Sequence, residues 1–326
     1  MGEAIEPEAL VPDSHGRLRR LGRRLAETAA WRFALAGALS IVLFAATYVG
    51  FVLTEAGQRL ENAALMGAQL RGDAAREGSL GYLSQLTVLT FALGVIAIAA
   101  VAFARRRPGL GVLVAGAMGG ATLAAELLKD GLPRPELVTG PVWILRNDFP
   151  SGTATVAAAL GIGAFLVAPD RLRWAVLPLG ALFAAVIGQS TQITGWHRLS
   201  SAVGGVLLVI AVASAALVLL DRSGLVRRSP LGRIDRRVRT AILVLPTATF
   251  VIAAAAIVLL VAFPLLQTPA DADAVFLHTV SELVGFGLTV VAFVVFARVV
   301  EPFSLGRTVS PGPARAGPAT TVTATD

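Results

Sequence analysis

The stretch that decides the fold runs from Ser200 to Leu220, SSAVGGVLLVIAVASAALVLL, and none of its 21 residues is charged. A helix of about 20 apolar residues is long enough to cross the hydrocarbon layer of a bilayer. Because that layer offers no water, the backbone amides must find their partners within the segment, which favours a helix. The stretch therefore predicts a transmembrane helix.

Seven further apolar blocks have the same character. They cover approximately 31–53, 82–104, 109–128, 153–168, 174–189, 241–265 and 280–300. The chain is 55% hydrophobic and 15% charged, whereas soluble domains are about 45–50% apolar and about 25% charged. The sequence thus predicts an all-α, polytopic transmembrane helix bundle of about eight transmembrane helices. The first block is longer, and begins later, than the apolar core of a cleaved signal peptide, so we expect it to be retained.

Lysine and arginine are divided unevenly between the two sides of this bundle. Of the 28 in the chain, 21 fall on the side that holds both termini and 7 on the other. Because the positive side usually faces the cytoplasm, we expect a protein of the cell membrane with both termini inside. The loops at 54–81, 129–152, 190–199 and 266–279 then face outward. The net charge of +7 is explained by this topology, and no basic, aromatic-interleaved domain suggests nucleic-acid binding.

The composition divides the chain into five regions. They are a basic cytoplasmic tail (1–30), a six-helix membrane domain (31–220), a basic cytoplasmic loop (221–240), two additional transmembrane helices (241–300) and a disordered cytoplasmic tail (301–326). The chain has no cysteine, which excludes disulfides, thiolate metal sites and a cysteine nucleophile.

Three polar segments on the outward side hold the candidate chemistry. They read KDGLPRP at 129–135, NDFPSGT at 147–153 and GWHR at 195–198. Lysine and arginine provide charge for phosphate oxygens, and Ser151 opens a helix whose free amides favour an anion. A histidine can be a nucleophile or an acid–base group. Each segment alone has an ordinary structural explanation, such as an N-cap or an interfacial anchor. Together they favour a phosphate site.

These segments resemble the signature of the type-2 phosphatidic acid phosphatase and vanadium haloperoxidase superfamily, in its membrane lipid phosphatase branch. Its pattern is K-x6-R-P, then P-S-G-H, then S-R-x5-H-x3-D, and the resemblance covers roughly residues 80–220. It implies a phosphatase-like six-helix core that hydrolyses lipid phosphates or prenyl diphosphates at the outer membrane face, without a metal or other cofactor. It also implies that His197 attacks phosphorus and forms a phosphohistidine. The phosphate-binding positions that it implies are Lys129, Arg134, Ser151 and Gly152.

The segments also depart from the family pattern. The first is two residues short, Thr153 replaces the histidine that acts as general acid, Thr191 replaces an arginine, and Ser201 replaces the aspartate that orients the nucleophile. Losing a general acid costs about 10²–10⁴ in rate. Losing the carboxylate behind a catalytic histidine costs about 10⁴.

Two features could compensate for these losses. One is another outward carboxyl, Asp148, Asp130 or Glu126, acting as the acid, although Glu126 is also spaced to pair with Lys129 on one helix face. The other is a diphosphate substrate, whose leaving group needs less protonation. Two hypotheses stay open: a weakened phosphatase, or an inactive family member that binds phosphorylated lipid or a partner. A transporter is a third class, but few broken helices or midplane charges support it.

Overall fold

The structure is a computed structural model that describes residues 29–70, 73–228 and 271–306. Helices dominate these ranges, and two short strands complete them. In chain order the elements are α1 (Ala29–Thr47), a π-helical turn (Tyr48–Val52), α2 (Glu55–Leu70), α3 (Asp73–Ser84), α4 (Val88–Ala104), α5 (Pro108–Gly131), α6 (Val142–Leu145), α7 (Gly152–Val167), α8 (Arg173–Ile193), α9 (Leu199–Arg222), β1 (Val226–Arg228), α10 (Asp271–Val300) and β2 (Phe303–Leu305).

In the ranges that the structure describes, the apolar blocks form the helices that the sequence predicts. Within the described residues, five helical stretches are long and apolar enough to cross a membrane, or six if α3 and α4, which meet at 55°, form one bent span. The helix α7 is apolar but shorter. The all-α transmembrane bundle is therefore confirmed. The seventh predicted block, 241–265, lies outside the described residues.

The helix α7 lies at the centre of the bundle and packs against α5, α8 and α9. Most of its residues are buried, and many are alanine or glycine. At its crossing with α8, a Cβ added to Gly161 would lie 2.7 Å from the carbonyl oxygen of Gly180. Small residues let membrane helices approach closely and so gain van der Waals contact. The tight packing holds α7, and with it the Ser151 helix start, in a defined position.

One end of the bundle is fastened by arginines and by the strand pair β1–β2. Arg107 donates to the carbonyl oxygen of Leu305 at 2.6 Å, and Arg173 donates to that of Phe303 at 2.7 Å. The strands pair antiparallel, with Val226 opposite Leu305. The region predicted as a disordered tail therefore begins with an ordered strand, because buried guanidinium groups satisfy its carbonyls. Residues beyond 306 lie outside the described part.

The opposite end differs from the sequence expectation of an outward loop at 54–81. Here α2 and α3 are helices, and α2 packs along the start of α10. A Cβ on Gly67 would lie 2.0 Å from the carbonyl oxygen of Ala274, so only glycine permits this approach. The last helix, predicted as an addition to the six-helix domain, also packs against α8 and α9. It is therefore an integral part of the bundle and helps to build the end that carries the three polar segments.

Candidate functional site

The second and third polar segments meet at the start of α7. Ser151 is fully buried and is the N-cap of this helix, since its hydroxyl accepts from the backbone N–H of Ala154 at 3.2 Å. Its own N–H donates to the carbonyl oxygen of Ser201, in the first turn of α9, at 2.9 Å. This bond joins the predicted phosphate-binding helix start to the segment that carries His197.

Lys129, the first residue of the first segment, is connected to the same helix start by the carboxylate of Glu126. Glu126 and Lys129 lie on one face of α5, and Lys129 Nζ is 3.0 Å from Glu126 Oε2. A Cβ added to Gly152 would collide with Glu126 Oε1, so this carboxylate lies against the first residue of α7. A negative charge is stabilised at a helix N-terminus. The charge of Lys129 is thus already paired, and a phosphate must displace Glu126 to use both the lysine and the helix start.

Asp148 and Arg198 form the buried centre of the site. Arg198 Nη1 donates to Asp148 Oδ1 at 2.7 Å, and the Arg198 backbone N–H donates to Asp148 Oδ2 at 2.8 Å. Arg198 also donates to the carbonyl oxygens of Ile144 and Arg146. Burial alone would raise the pKa of Asp148, but the adjacent His197 and the positive Arg198 outweigh it and hold that pKa well below its ordinary value. Asp148 is therefore ionised near neutral pH and is unsuited to the general-acid role that the sequence left open.

His197 lies beside this ion pair. Its Nδ1 is 3.7 Å from Asp148 Oδ2, longer than a hydrogen bond but close enough for charge stabilisation. The backbone N–H of His197 donates to the carbonyl oxygen of Thr191 at 3.1 Å, and Gly195 at φ +71° allows the turn between them. With Nδ1 facing a carboxylate, Nε2 is the nitrogen left to react. Asp148 thus occupies the place beside the histidine that the resemblance gives to position 201.

The positions that depart from the family pattern have structural roles. Ser201 is fully buried, and its hydroxyl has no hydrogen-bond partner in the described structure. Thr191 is also buried, and its hydroxyl donates to the carbonyl oxygen of Gly188 at 2.7 Å. Thr153, in the first turn of α7, is half-buried. None of these three side chains replaces the charge that the family pattern has at its position.

Arg134 joins the cluster through Asn62. Arg134 Nη2 and Arg198 Nη2 donate to the same Asn62 Oδ1, at 3.3 and 3.1 Å. Arg134 Nη1 is buried and has no hydrogen-bond partner in the described structure. Burial and the nearby charge of Arg198 lower the pKa of Arg134. Two guanidinium groups that share one neutral acceptor, one of them with an unpaired buried donor, favour the binding of an anion.

Sequence reasoning missed the polar face of α2. Glu61 is buried and accepts from Ser200 twice, from the backbone N–H at 2.8 Å and from the hydroxyl at 3.0 Å. Burial, followed by repulsion from Asp148, raises the pKa of Glu61 to about 7. The buried residues Gln58, Glu61, Asn62 and Leu65 have the i, i+3, i+4, i+7 spacing of a helix face. That spacing is the sequence signal for the helix α2. A search for apolar residues does not find it, because polar residues occupy the buried face of this helix.

A small cavity connects His197 to α2 and α10. Glu61, Arg198, Gln192 and His278 also line this cavity, whereas Lys129 does not. Arg134 and Ser151 are also absent from its walls, although hydrogen bonds connect both to the cluster around His197. Among the described residues, no group of three or more His, Asp or Glu side chains is arranged to hold a metal ion.

Comparison with known proteins finds no matching family profile, no matching curated protein and no matching solved structure. The functional argument therefore depends on the residues of this chain. The family resemblance stays a prediction from the three polar segments.

Proposed function

We propose that this protein is a membrane phosphatase-like enzyme of the cell membrane that acts on lipid phosphates or prenyl diphosphates at the outer face. The observation that supports it most is the placement of His197 Nδ1 beside Asp148, with the buried Arg198 holding that carboxylate. An imidazole oriented in this way is suited to nucleophilic attack through Nε2.

The sidedness of the proposal depends on the distribution of charge over the two ends of the bundle. Arg105, Arg107 and Arg173 lie at the end fastened by β1 and β2, whereas the cluster around His197 lies at the other end. The arginine-rich end is assigned to the cytoplasm. Lipid headgroups in the outer leaflet would then meet the end that carries His197.

In the proposed reaction, His197 Nε2 attacks the phosphorus while the bond from phosphorus to the leaving oxygen breaks. This step forms a phosphohistidine and releases an alcohol or a phosphate. Asp148 stabilises the positive charge that develops on the imidazole. Arg198, which lines the same cavity as His197, adds positive charge near the phosphoryl oxygens, and Arg134 must turn its unpaired Nη1 toward them to donate. Water then attacks the phosphohistidine, breaks the nitrogen–phosphorus bond and releases phosphate.

Glu61 is the proposed proton donor in place of Thr153. It lines the same cavity as His197, and its pKa of about 7 leaves a protonated fraction near neutral pH. A general acid works best when its pKa lies near the working pH. The protonated carboxyl gives its proton to the leaving oxygen in the first step. Its carboxylate takes a proton from water in the second.

A second candidate function is the binding of phosphorylated lipid without turnover. The uncharged side chains of Thr153, Thr191 and Ser201 favour it, because none of them supplies the charge that the family pattern has at its position. Binding then needs only the anion-attracting groups, whereas hydrolysis also needs the nucleophile and the acid.

The deciding experiment is phosphate release by the purified full chain in lipid nanodiscs, with single-chain lipid monophosphates and prenyl diphosphates. We expect His197→Ala to abolish release and Trp196→Ala to retain it, because Trp196 is the half-exposed neighbour of the nucleophile. Glu61→Gln should lower release by about 10²–10⁴, whereas Glu55→Gln, on the exposed face of α2, should leave it unchanged. Release that survives His197→Ala would contradict the proposed mechanism. No release from wild type, with retained lipid phosphate binding, would favour the second candidate.

A further inference from the structure

A second and larger cavity lies beside the one that contains His197. It has a volume of about 170 Å³, is partly open, and is lined by α1 with its π-helical turn, α2, α9 and α10. Its walls are almost entirely apolar. The lining side chains from the last helix are Leu277, Val280, Ser281, Val284 and Leu288. Their spacing places them on one face of α10.

The two cavities share part of their walls. Glu61, Ala64, Leu199 and Ser281 line both of them. The polar groups of this shared wall are fixed by hydrogen bonds, since Ser200 donates to Glu61, and Ser281 donates to Gln192 Oε1 at 2.8 Å. An apolar space thus adjoins a polar space lined by His197 and Arg198, whose volume of about 10 Å³ is that of about one water. This order matches an amphiphile whose hydrocarbon chain fills the apolar space and whose charged headgroup widens the polar space next to His197.

We propose that the larger cavity binds the hydrocarbon chain of a single-chain lipid phosphate or diphosphate, with α10 as one wall. The inference rests on the proposed function for its headgroup site and names the substrate class of that site. Apolar cavities of about 150 Å³ bind ligands the size of benzene. A cavity of about 170 Å³ therefore admits a segment of at least about six carbons from one chain.

The size and the walls of the cavity together select this occupant. The π-helical turn, α9 and α10 supply the apolar side chains of Phe51, Val203 and Leu288, which give no hydrogen bonds to a polar ligand. The shared wall places the cavity beside the headgroup site, so the first carbons of a bound chain enter it. The last helix then has a function that a six-helix phosphatase-like core does not explain.

The test is photolabelling of the full chain in nanodiscs with a dodecyl phosphate that carries a diazirine on its sixth carbon, followed by mass spectrometry of the labelled peptides. We expect label within 199–203 and 277–288 that excess unlabelled dodecyl phosphate removes. Val284→Phe should reduce this label at least fivefold by filling the cavity. The matched control Leu283→Phe should not reduce it, because Leu283 lies on the exposed face of the same helix. Val284→Ala should fold and retain the label.

Several outcomes would overturn the inference. One is label that excess dodecyl phosphate does not remove, or that is undiminished in a Val284→Phe protein with a normal melting temperature. Another is equal labelling by the corresponding dodecanol probe, which would mean that the bilayer hydrocarbon, and not a lipid phosphate, fills the space. A third outcome is that the segment 241–265, and not a lipid, occupies the cavity. The cavity walls would then stay unlabelled, and the thiol of Val284→Cys would not react with an apolar maleimide.

Phosphate release separates this inference from the proposed reaction. If wild type is labelled as expected but releases no phosphate, the enzymatic proposal fails and the binding site stands. If wild type releases phosphate from dodecyl phosphate, and Val284→Phe neither slows release nor loses label, the reaction stands and the cavity assignment fails.

Discussion

The substitution Glu61→Gln should change how the stability of the protein depends on pH. In the folded protein the carboxyl of Glu61 is buried beside Asp148, and its pKa is raised from 4.5 to about 7. Glutamine keeps the size of the side chain and can still accept from Ser200, but it cannot ionise. The substitution therefore removes a single titration and leaves the packing of α2 in place.

The direction follows from proton binding. Between pH 4.5 and about 7 the folded protein retains a proton that the unfolded chain has released. The free energy of unfolding therefore falls as the pH rises through this range, and the full stabilisation is present only below about pH 4.5. The difference between 4.5 and about 7, at about 1.36 kcal/mol for each pKa unit, is on the order of 3 kcal/mol. The lowered pKa of Asp148 changes the free energy of unfolding at a more acidic pH, so its contribution can be separated from that of Glu61.

The measurement is thermal unfolding in detergent micelles at pH 5 and pH 8 for wild type, Glu61→Gln and Glu55→Gln. Relative to wild type, Glu61→Gln should become more stable at pH 8 than at pH 5 by on the order of 3 kcal/mol. Glu55 is exposed and paired with Arg59, so Glu55→Gln should follow the wild-type pH dependence. If Glu61→Gln and wild type change in parallel with pH, Glu61 does not carry a raised pKa, and its proposed role as proton donor loses its basis.

Three further predictions concern the charges at the two ends of the bundle. Asp148→Asn should lower the free energy of unfolding by about 3–5 kcal/mol, measured by chemical denaturation, because it leaves the buried Arg198 without its ion pair; an unchanged value would mean that the pair is not buried in the folded protein. Glu126→Gln should tighten vanadate binding up to about fivefold, measured by calorimetry, because it frees Lys129 from a partly exposed ion pair. The control is Glu136→Gln, at an exposed position, and an equal change in vanadate affinity for both variants would contradict the reasoning. A single cysteine introduced at Gly140 should react with an impermeant maleimide in intact cells, whereas one at Ser223 should not, and the reverse pattern would invert the topology.

Much of the bundle could be predicted because hydrocarbon imposes a simple rule on sequence. An apolar block such as 199–222 must be helical and must have about the length of the bilayer. The rule gives no information about polar helices at the membrane surface, where water can satisfy the backbone. The apolar pattern therefore predicts a loop where α2 forms, although the buried Gln58, Glu61 and Asn62 follow helical spacing.

The candidate site was only partly predictable, because its charged groups are paired across long sequence separations. The sequence places Lys129, Ser151 and His197 at one end of the bundle, and the bond from Ser151 to Ser201 agrees with the expectation that two of the segments meet. Sequence spacing could not show that Asp148, 49 residues before His197, lies beside its imidazole. The same limit applies to Arg198, since sequence spacing could not show that its acceptors come from α2 and from the loop before α7.

Under the proposed function, Asp148 takes the orienting role that the resemblance gives to position 201. A histidine nucleophile needs a carboxylate near Nδ1, but the physics sets no requirement on which helix supplies it. Here position 201 is a buried serine, and a carboxylate from the loop before α7 stands beside the ring, held by an arginine one residue after the histidine. A second carboxylate at position 201 would add another negative charge to a buried region that already contains Asp148 and Glu61. The serine at this position is therefore consistent with an active site in which Asp148 orients His197, and a search for the family spacing alone would miss such a site.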